Sequence, residues 1–219
     1  MYKKLAAFGA ALFAFALPLS ASPATGVPAV DRTDSPPPGK ITIDVVTVNG
    51  SGCPQGTARV WVSEDNTSFR VAYDRFTARA GGDAAPTDFR KFCQIVLQVH
   101  VPQGFTYGIA SATYRGFAHL EPGASALELA RYYFQGDSAT EFVDHGFNGP
   151  MHDDWQVTDT TDIAEIVYQP CGRTRDFNIN TQLRVKTGGS NAEAGTSYIT
   201  MDSTNGSVNT TYRFAWKRC

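Results

Sequence analysis

The segment "FNINTQLRVKT" constrains the fold more tightly than any other part of the chain. Phe177, Ile179, Leu183 and Val185 alternate with Asn178, Asn180, Gln182, Arg184 and Lys186. Successive side chains of a strand point to opposite faces, so a period of two specifies a strand with one face in a core and the other polar. The same alternation recurs in "ITIDVV", "SFRVAY" and "CQIVLQVHV", and a Pro102-Gln103-Gly104 turn leads from the last of these into Phe105, Tyr107 and Ile109. Weaker strand candidates are "TARVWV", "LARYYFQ", "WQVTD" and "IAEIVY". The best helix candidate, "GASALELARYYF", is short and ends in β-favouring aromatics. About ten short strands separated by Gly, Pro and Asn turns predict an all-β fold, an antiparallel β-sandwich or jelly-roll-like single domain.

The C-terminal segment "SYITMDSTNGSVNTTYRFAWK" supplies a register test. If Asn205-Gly206 forms a two-residue type I′ turn, Ile199 faces Tyr212 and Met201 faces Thr210 across a hairpin. Val208, Phe214 and Trp216 then fall on that same apolar face, and Tyr198, Thr200 and Arg213 on the other. A slip of one residue would scramble this sorting.

The chain opens with Lys3 and Lys4, an apolar run from Leu5 to Leu17, then Pro18 and small residues. The run is shorter than the ~20 residues needed to cross a bilayer and carries the marks of a secretory signal peptide. Residues 1–24 are therefore expected to be the signal peptide, with cleavage around Ala21 to Ala24. Residues 25–40 hold Pro28 and the triplet Pro36, Pro37 and Pro38 and few large apolar side chains, so they should form a flexible Pro-rich leader. Residues 41–219 remain as a single β-sandwich domain, long enough for a sizeable core. No later segment is apolar enough to span a membrane.

The net charge is −2, falling to about −4 without the signal peptide. Nucleic acid is not the expected partner, because it would call for a clustered basic face. The one modest basic cluster, Arg173, Arg175, Arg184 and Lys186, is interleaved with asparagines and reads as strand surface. The four cysteines, Cys53, Cys93, Cys171 and Cys219, contain no CxxC pair of the kind zinc sites use, and in an exported chain they read as two disulfides. Three connectivities are possible. Cys53 with Cys93 and Cys171 with Cys219 is favoured, because each bridge then stays within one half of the chain.

No GxSxG nucleophile elbow, HExxH, phosphate loop or GxGxxG is present. The densest chemistry lies in "DHGFNGPMHDDW", Asp144 to Trp155. Its functional reading is a metal or acid–base site from Asp144, His145, His152, Asp153 and Asp154, helped by Asp159 or Asp162. Its structural reading is a long solvated loop anchored by Phe147 and Trp155, where Gly, Asn, Pro and Asp serve the backbone. The loop reading is preferred, because the spacing matches no metal template. His100 and His119 have no evident role. Trp61, Tyr132, Tyr133 and Trp155 are candidates for a sugar-stacking platform, although core packing is the commoner fate of such residues.

Taken in order, "GSGCPQGTARVWVS", "DFRKFCQ", "VHVPQGFTY", "YRGFAHL", "YYFQG", "FNGP", "PCG", "NINTQLRV" and "AWKRC" resemble the Domain of Unknown Function 4360 family of small secreted proteins, over roughly Ile41 to Cys219. The resemblance implies an extracellular, four-cysteine, β-rich domain and carries no catalytic or binding residue with it. Phe92 departs from the polar residue expected in "KFCQ". The favoured function is a non-catalytic extracellular binding module for a cell envelope, polysaccharide or protein ligand, monomeric and needing no cofactor. The alternative is a secreted hydrolase or metal-dependent enzyme using the Asp144–Asp154 segment.

Overall fold

The computed structural model describes residues 35–137, 142–189, 195–201 and 209–219. The expected signal peptide, most of the leader and the Asn205-Gly206 turn lie outside them. The described chain is nearly all strand: β1 (Thr42–Asn49), β2 (Ala58–Val62), β3 (Ser68–Tyr73), β4 (Thr77–Gly81), β5 (Arg90–His100), β6 (Phe105–Leu120), β7 (Ser125–Phe134), β8 (Val143–Asn148), β9 (Met151–Thr160), β10 (Phe177–Lys186), β11 (Thr196–Thr200) and β12 (Thr210–Arg218). "IAEIVY" differs from its strand expectation, since it holds only the 3-10 turn Ile163–Glu165. Among the described residues no helix is long and apolar enough to cross a membrane.

The strands form two antiparallel sheets. One has five strands in the order β1-β5-β10-β7-β8, and the other joins β2, β3, β4, β6, β9, β11 and β12. Aromatic side chains from the facing surfaces interlock between them. Phe177 of the first sheet meets Phe69 edge-on at 6.3 Å, Tyr107 meets Phe134 at 5.2 Å and Tyr132 meets Tyr212 at 6.1 Å. Burying each such side chain contributes about 1.5–3 kcal/mol. Both disulfides seal this sandwich, Cys53 to Cys93 and Cys171 to Cys219, closing loops with sequence separations of 40 and 48. Each contributes about 4 kcal/mol in the chain-entropy account.

Among the described residues the face sorting expected for the C-terminal strands holds, but the hairpin does not; Val208 lies outside them. Ile199, Met201, Tyr212, Phe214 and Trp216 are all buried and Arg213 is exposed. Ile199, however, pairs with Ala78 and Ala118, and Tyr212 with Phe69 and Ala112. β9 occupies one edge of β6 from Ser111 to Leu120, so β11 and β12 both lie along the other edge, end to end. Period two decides which way each side chain points. It does not decide which strand lies alongside.

β7 is the strand hidden in the helix candidate. Ala, Leu and Glu favour helix intrinsically, but this segment pairs with β10 over its whole length and with β8 over most of it. Its alternation is inverted in polarity: Ala126, Glu128 and Ala130 are buried inward while Leu127 and Leu129 point outward, half-buried. Tertiary pairing overrides local propensity here.

Candidate functional site

The segment Asp144–Trp155 is not a long loop. It is most of β8, a Gly149-Pro150 turn with a cis peptide bond, and the first half of β9. β8 ends the five-stranded sheet beside β7 and β9 borders β6 in the other sheet, so the chain changes sheets at this turn. The anchors hold as expected: Trp155 is buried and its ring lies 5.1 Å from that of Phe147. Trp155 opposes Gly116, where a Cβ would come within 2.5 Å of the indole, so only glycine admits the ring.

The structure does not gather His145, His152, Asp153 and Asp154. His145 pairs with Asp159, Nε2 to Oδ1 2.8 Å, while His152 meets His119 through their Nδ1 atoms, also at 2.8 Å. Asp153 and Asp154 are exposed. Among the described residues no group of three or more His, Cys, Asp or Glu side chains is placed to hold a metal ion. The expected sugar platform is likewise dispersed. Trp155 is in the core, Tyr132 faces inward, Tyr133 faces outward and Trp61 is on the other sheet.

The acid that sequence reasoning missed is Glu128. It is register partner to both Leu183 and His145, wholly buried, with neither carboxyl oxygen hydrogen-bonded within the protein. Desolvation, together with the charges of Asp159 and Asp144, raises its pKa well above the ordinary glutamate value, so it is held as a neutral acid. Around it stand Tyr114 and Tyr212, whose buried hydroxyls are also without partners and whose pKa values burial drives far upward. Asp159 borders a cleft of about 700 Å³ lined also by Tyr132, Tyr133, Arg131 and Glu165. The signal that could have exposed Glu128 is its in-phase position with Ala126 and Ala130.

The larger arrangement is the outward face of the five-stranded sheet. Register places Gln94, Asn180 and Arg131 in one row, Val96, Asn178 and Tyr133 in the next, and on the other side Phe92, Gln182 and Leu129, then Arg90 and Arg184 with Leu127. Carboxamides and guanidinium groups thus cross three adjacent strands, with aromatic rings at both margins. Arg90 Nε donates to Gln182 Oε1 at 2.6 Å. Asn178 and Gln182 are buried beneath their neighbours, and Asn180 Nδ2 and the Nε atoms of Arg131 and Arg184 are covered from solvent without a hydrogen-bond partner in the protein. The Arg131 guanidinium lies 4.3 Å from the centre of the Phe142 ring, a cation–π contact on the rim. Phe92 and Phe142 are 45% and 47% exposed, large apolar groups left toward solvent where a folded surface normally hides them. The basic residues Arg184 and Lys186, read from sequence as plain strand surface, belong to this face.

A family profile described as a domain of unknown function, DUF4360, matches residues 39–219. The chain belongs to the DUF4360 family. A similar protein from Arthroderma benhamiae, named an uncharacterized secreted protein, is 32% identical over 186 residues, covering 85% of this chain and 75% of that one. The DUF4360 match spans both sheets and all four cysteines, so the outward face and the Glu128 enclosure both lie within the family domain. The two disulfides suit an oxidising compartment.

Proposed function

We propose that this DUF4360 protein is exported through a cleaved signal peptide and acts outside the cell as a non-catalytic module that binds polysaccharide on the outward face of β5, β10 and β7. The single observation that carries the reading is the three-strand field of carboxamide and guanidinium groups flanked by Phe92, Tyr133 and Phe142. Carboxamides both donate and accept, and guanidinium forks donate in pairs, which matches the adjacent hydroxyls of a sugar. Aromatic faces cover the apolar side of a pyranose ring while leaving its edge wet. Arg90, Arg131, Arg184 and Lys186 outnumber Asp44 and Asp144 on this surface, which favours polymers bearing carboxylates over neutral ones.

Affinity electrophoresis through gels containing polygalacturonate, alginate or a neutral β-glucan tests this. Retardation by an acidic polymer, lost in Arg131→Ala and Asn180→Ala, is the expected result. Unretarded migration in every gel, or retardation indifferent to both substitutions, would overturn it.

A second reading, acid–base hydrolysis, has one observation in its favour: neutral Glu128 near Asp159 at the 700 Å³ cleft. Glu128 is itself enclosed and does not border the cleft, so the binding reading stands ahead of it.

A further inference from the structure

The outward face of the seven-stranded sheet holds a cluster that the ligand-binding reading does not use. His119 of β6 and His152 of β9 are register partners whose Nδ1 atoms lie 2.8 Å apart. Their rings are nearly perpendicular, at 88°, with centroids 5.0 Å apart. On the far side of His119, Nε2 lies 3.2 Å from Glu121 Oε1. A carboxylate accepts, so His119 donates from Nε2, and its Nδ1 is left as a bare lone pair directed at His152. Phe117 stands edge-on to the His152 ring at 5.1 Å, and Tyr198 flanks His119 at 5.6 Å. Gly195 completes the arrangement: a Cβ there would come 2.7 Å from Glu121 Oε1 and push the carboxylate out of place.

We propose that His119 and His152 form a two-imidazole site for a divalent late transition metal ion, copper(II) foremost, with Glu121 as a positioning residue for His119. Metal–imidazole bonds of about 2.0 Å meeting at a right angle place the two nitrogens about 2.8 Å apart. The two Nδ1 atoms stand at that separation through a hydrogen bond to each other, which an ion would have to replace. Affinity for divalent ions at imidazole sites rises to copper(II) and falls again at zinc, which puts copper ahead of nickel and zinc here. The rings meet nearly end to end, with His152 donating Nδ1–H to the His119 lone pair; metal binding shifts that proton to His152 Nε2 and turns the exposed His152 ring until both Nδ1 atoms face the ion. A carboxylate on the remote nitrogen of a ligand histidine fixes its tautomer and orientation, the place Glu121 takes beside His119. Water completes the coordination on this open face.

The test uses untagged, chelator-stripped protein titrated with copper(II), nickel(II) and zinc(II), followed by calorimetry and low-temperature electron paramagnetic resonance. One equivalent of copper should bind, with hyperfine structure from two imidazole nitrogens. His119→Gln and His152→Gln should each weaken binding ten-fold or more. Glu121→Ala should weaken it about ten-fold while the two-nitrogen spectrum persists. His100→Gln, on the other sheet, should change nothing. The wild-type spectrum counts the ligands even if a variant folds poorly. Absence of stoichiometric copper, or a two-nitrogen spectrum that survives in the His119→Gln/His152→Gln double variant, would overturn the proposal.

Discussion

The outward faces of the two sheets carry similar residue types and use them differently. On the seven-stranded sheet the polar groups satisfy one another across strands: Thr113 with Thr158 at 3.0 Å, Arg115 with Gln156 at 2.7 Å and Thr77 with Thr200 at 2.8 Å. On the five-stranded sheet Arg90 and Gln182 make such a bond, but Asn180, Arg131 and Arg184 each leave a donor over. A hydrogen bond within the fold contributes only about 1 kcal/mol net, while an unmade one at a covered position costs more. These donors are covered from solvent, so leaving them unpaired costs the five-stranded sheet stability that the other sheet keeps. The same shortage recurs in the interior, where Glu128 has no partner, and there its consequence is pH dependence.

The strongest way to break this contrast is to empty both faces in turn. The double substitution Arg131→Ala/Asn180→Ala should lower affinity for an acidic polysaccharide about 100-fold, on the scale of hot-spot truncations, and leave the melting temperature nearly unchanged. Arg115→Ala/Gln156→Ala on the other face should leave affinity unchanged and cost about 1 kcal/mol of stability, read by denaturant titration. Equal loss of affinity from both would erase the distinction.

Glu128 sharpens the contrast from inside. A raised folded pKa means the native state binds this proton more tightly than the unfolded chain. Its contribution is therefore fully present below the ordinary glutamate value and lost as pH rises through the raised one. Glu128→Gln should accordingly melt higher than wild type at pH 8, by roughly 2–4 °C for each 1 kcal/mol gained, and show a flatter profile of stability against pH. Parallel profiles for the two proteins would contradict a neutral buried acid. The smallest effect belongs to Thr113→Val, which removes one exposed hydroxyl bond to Thr158 and should cost well under 1 kcal/mol with no change in binding.

What the sequence made legible was orientation. Alternation in β10 and in the C-terminal strands sorted inward from outward correctly, and Phe147 and Trp155 were recognisable as anchors. Partnership was not legible. Asn-Gly between two alternating runs is a local turn signal, yet Tyr212 finds Phe69 and Ala112, some 100 or more positions away in the chain. His152 likewise meets His119, 33 residues distant, rather than His145. Glu128 escaped notice because its strand is apolar on both sides, Ala inward and Leu outward, so no alternation of polarity marked it. The ligand-binding face was hidden for a related reason: its carboxamides come from β5 and β10, which become neighbours only through pairing at a separation of about 80 residues.

The central claim is that the five-stranded sheet presents the ligand surface. The most direct measurement is a nuclear magnetic resonance titration of isotopically labelled protein with an oligosaccharide of galacturonate, followed through backbone and side-chain amide shifts. Shifts concentrated on Gln94, Asn178, Asn180, Gln182, Arg131 and Tyr133 are predicted, with the seven-stranded sheet unmoved. Shifts confined to the Arg115, Gln156 and Thr158 face, or none at saturating ligand, would contradict it.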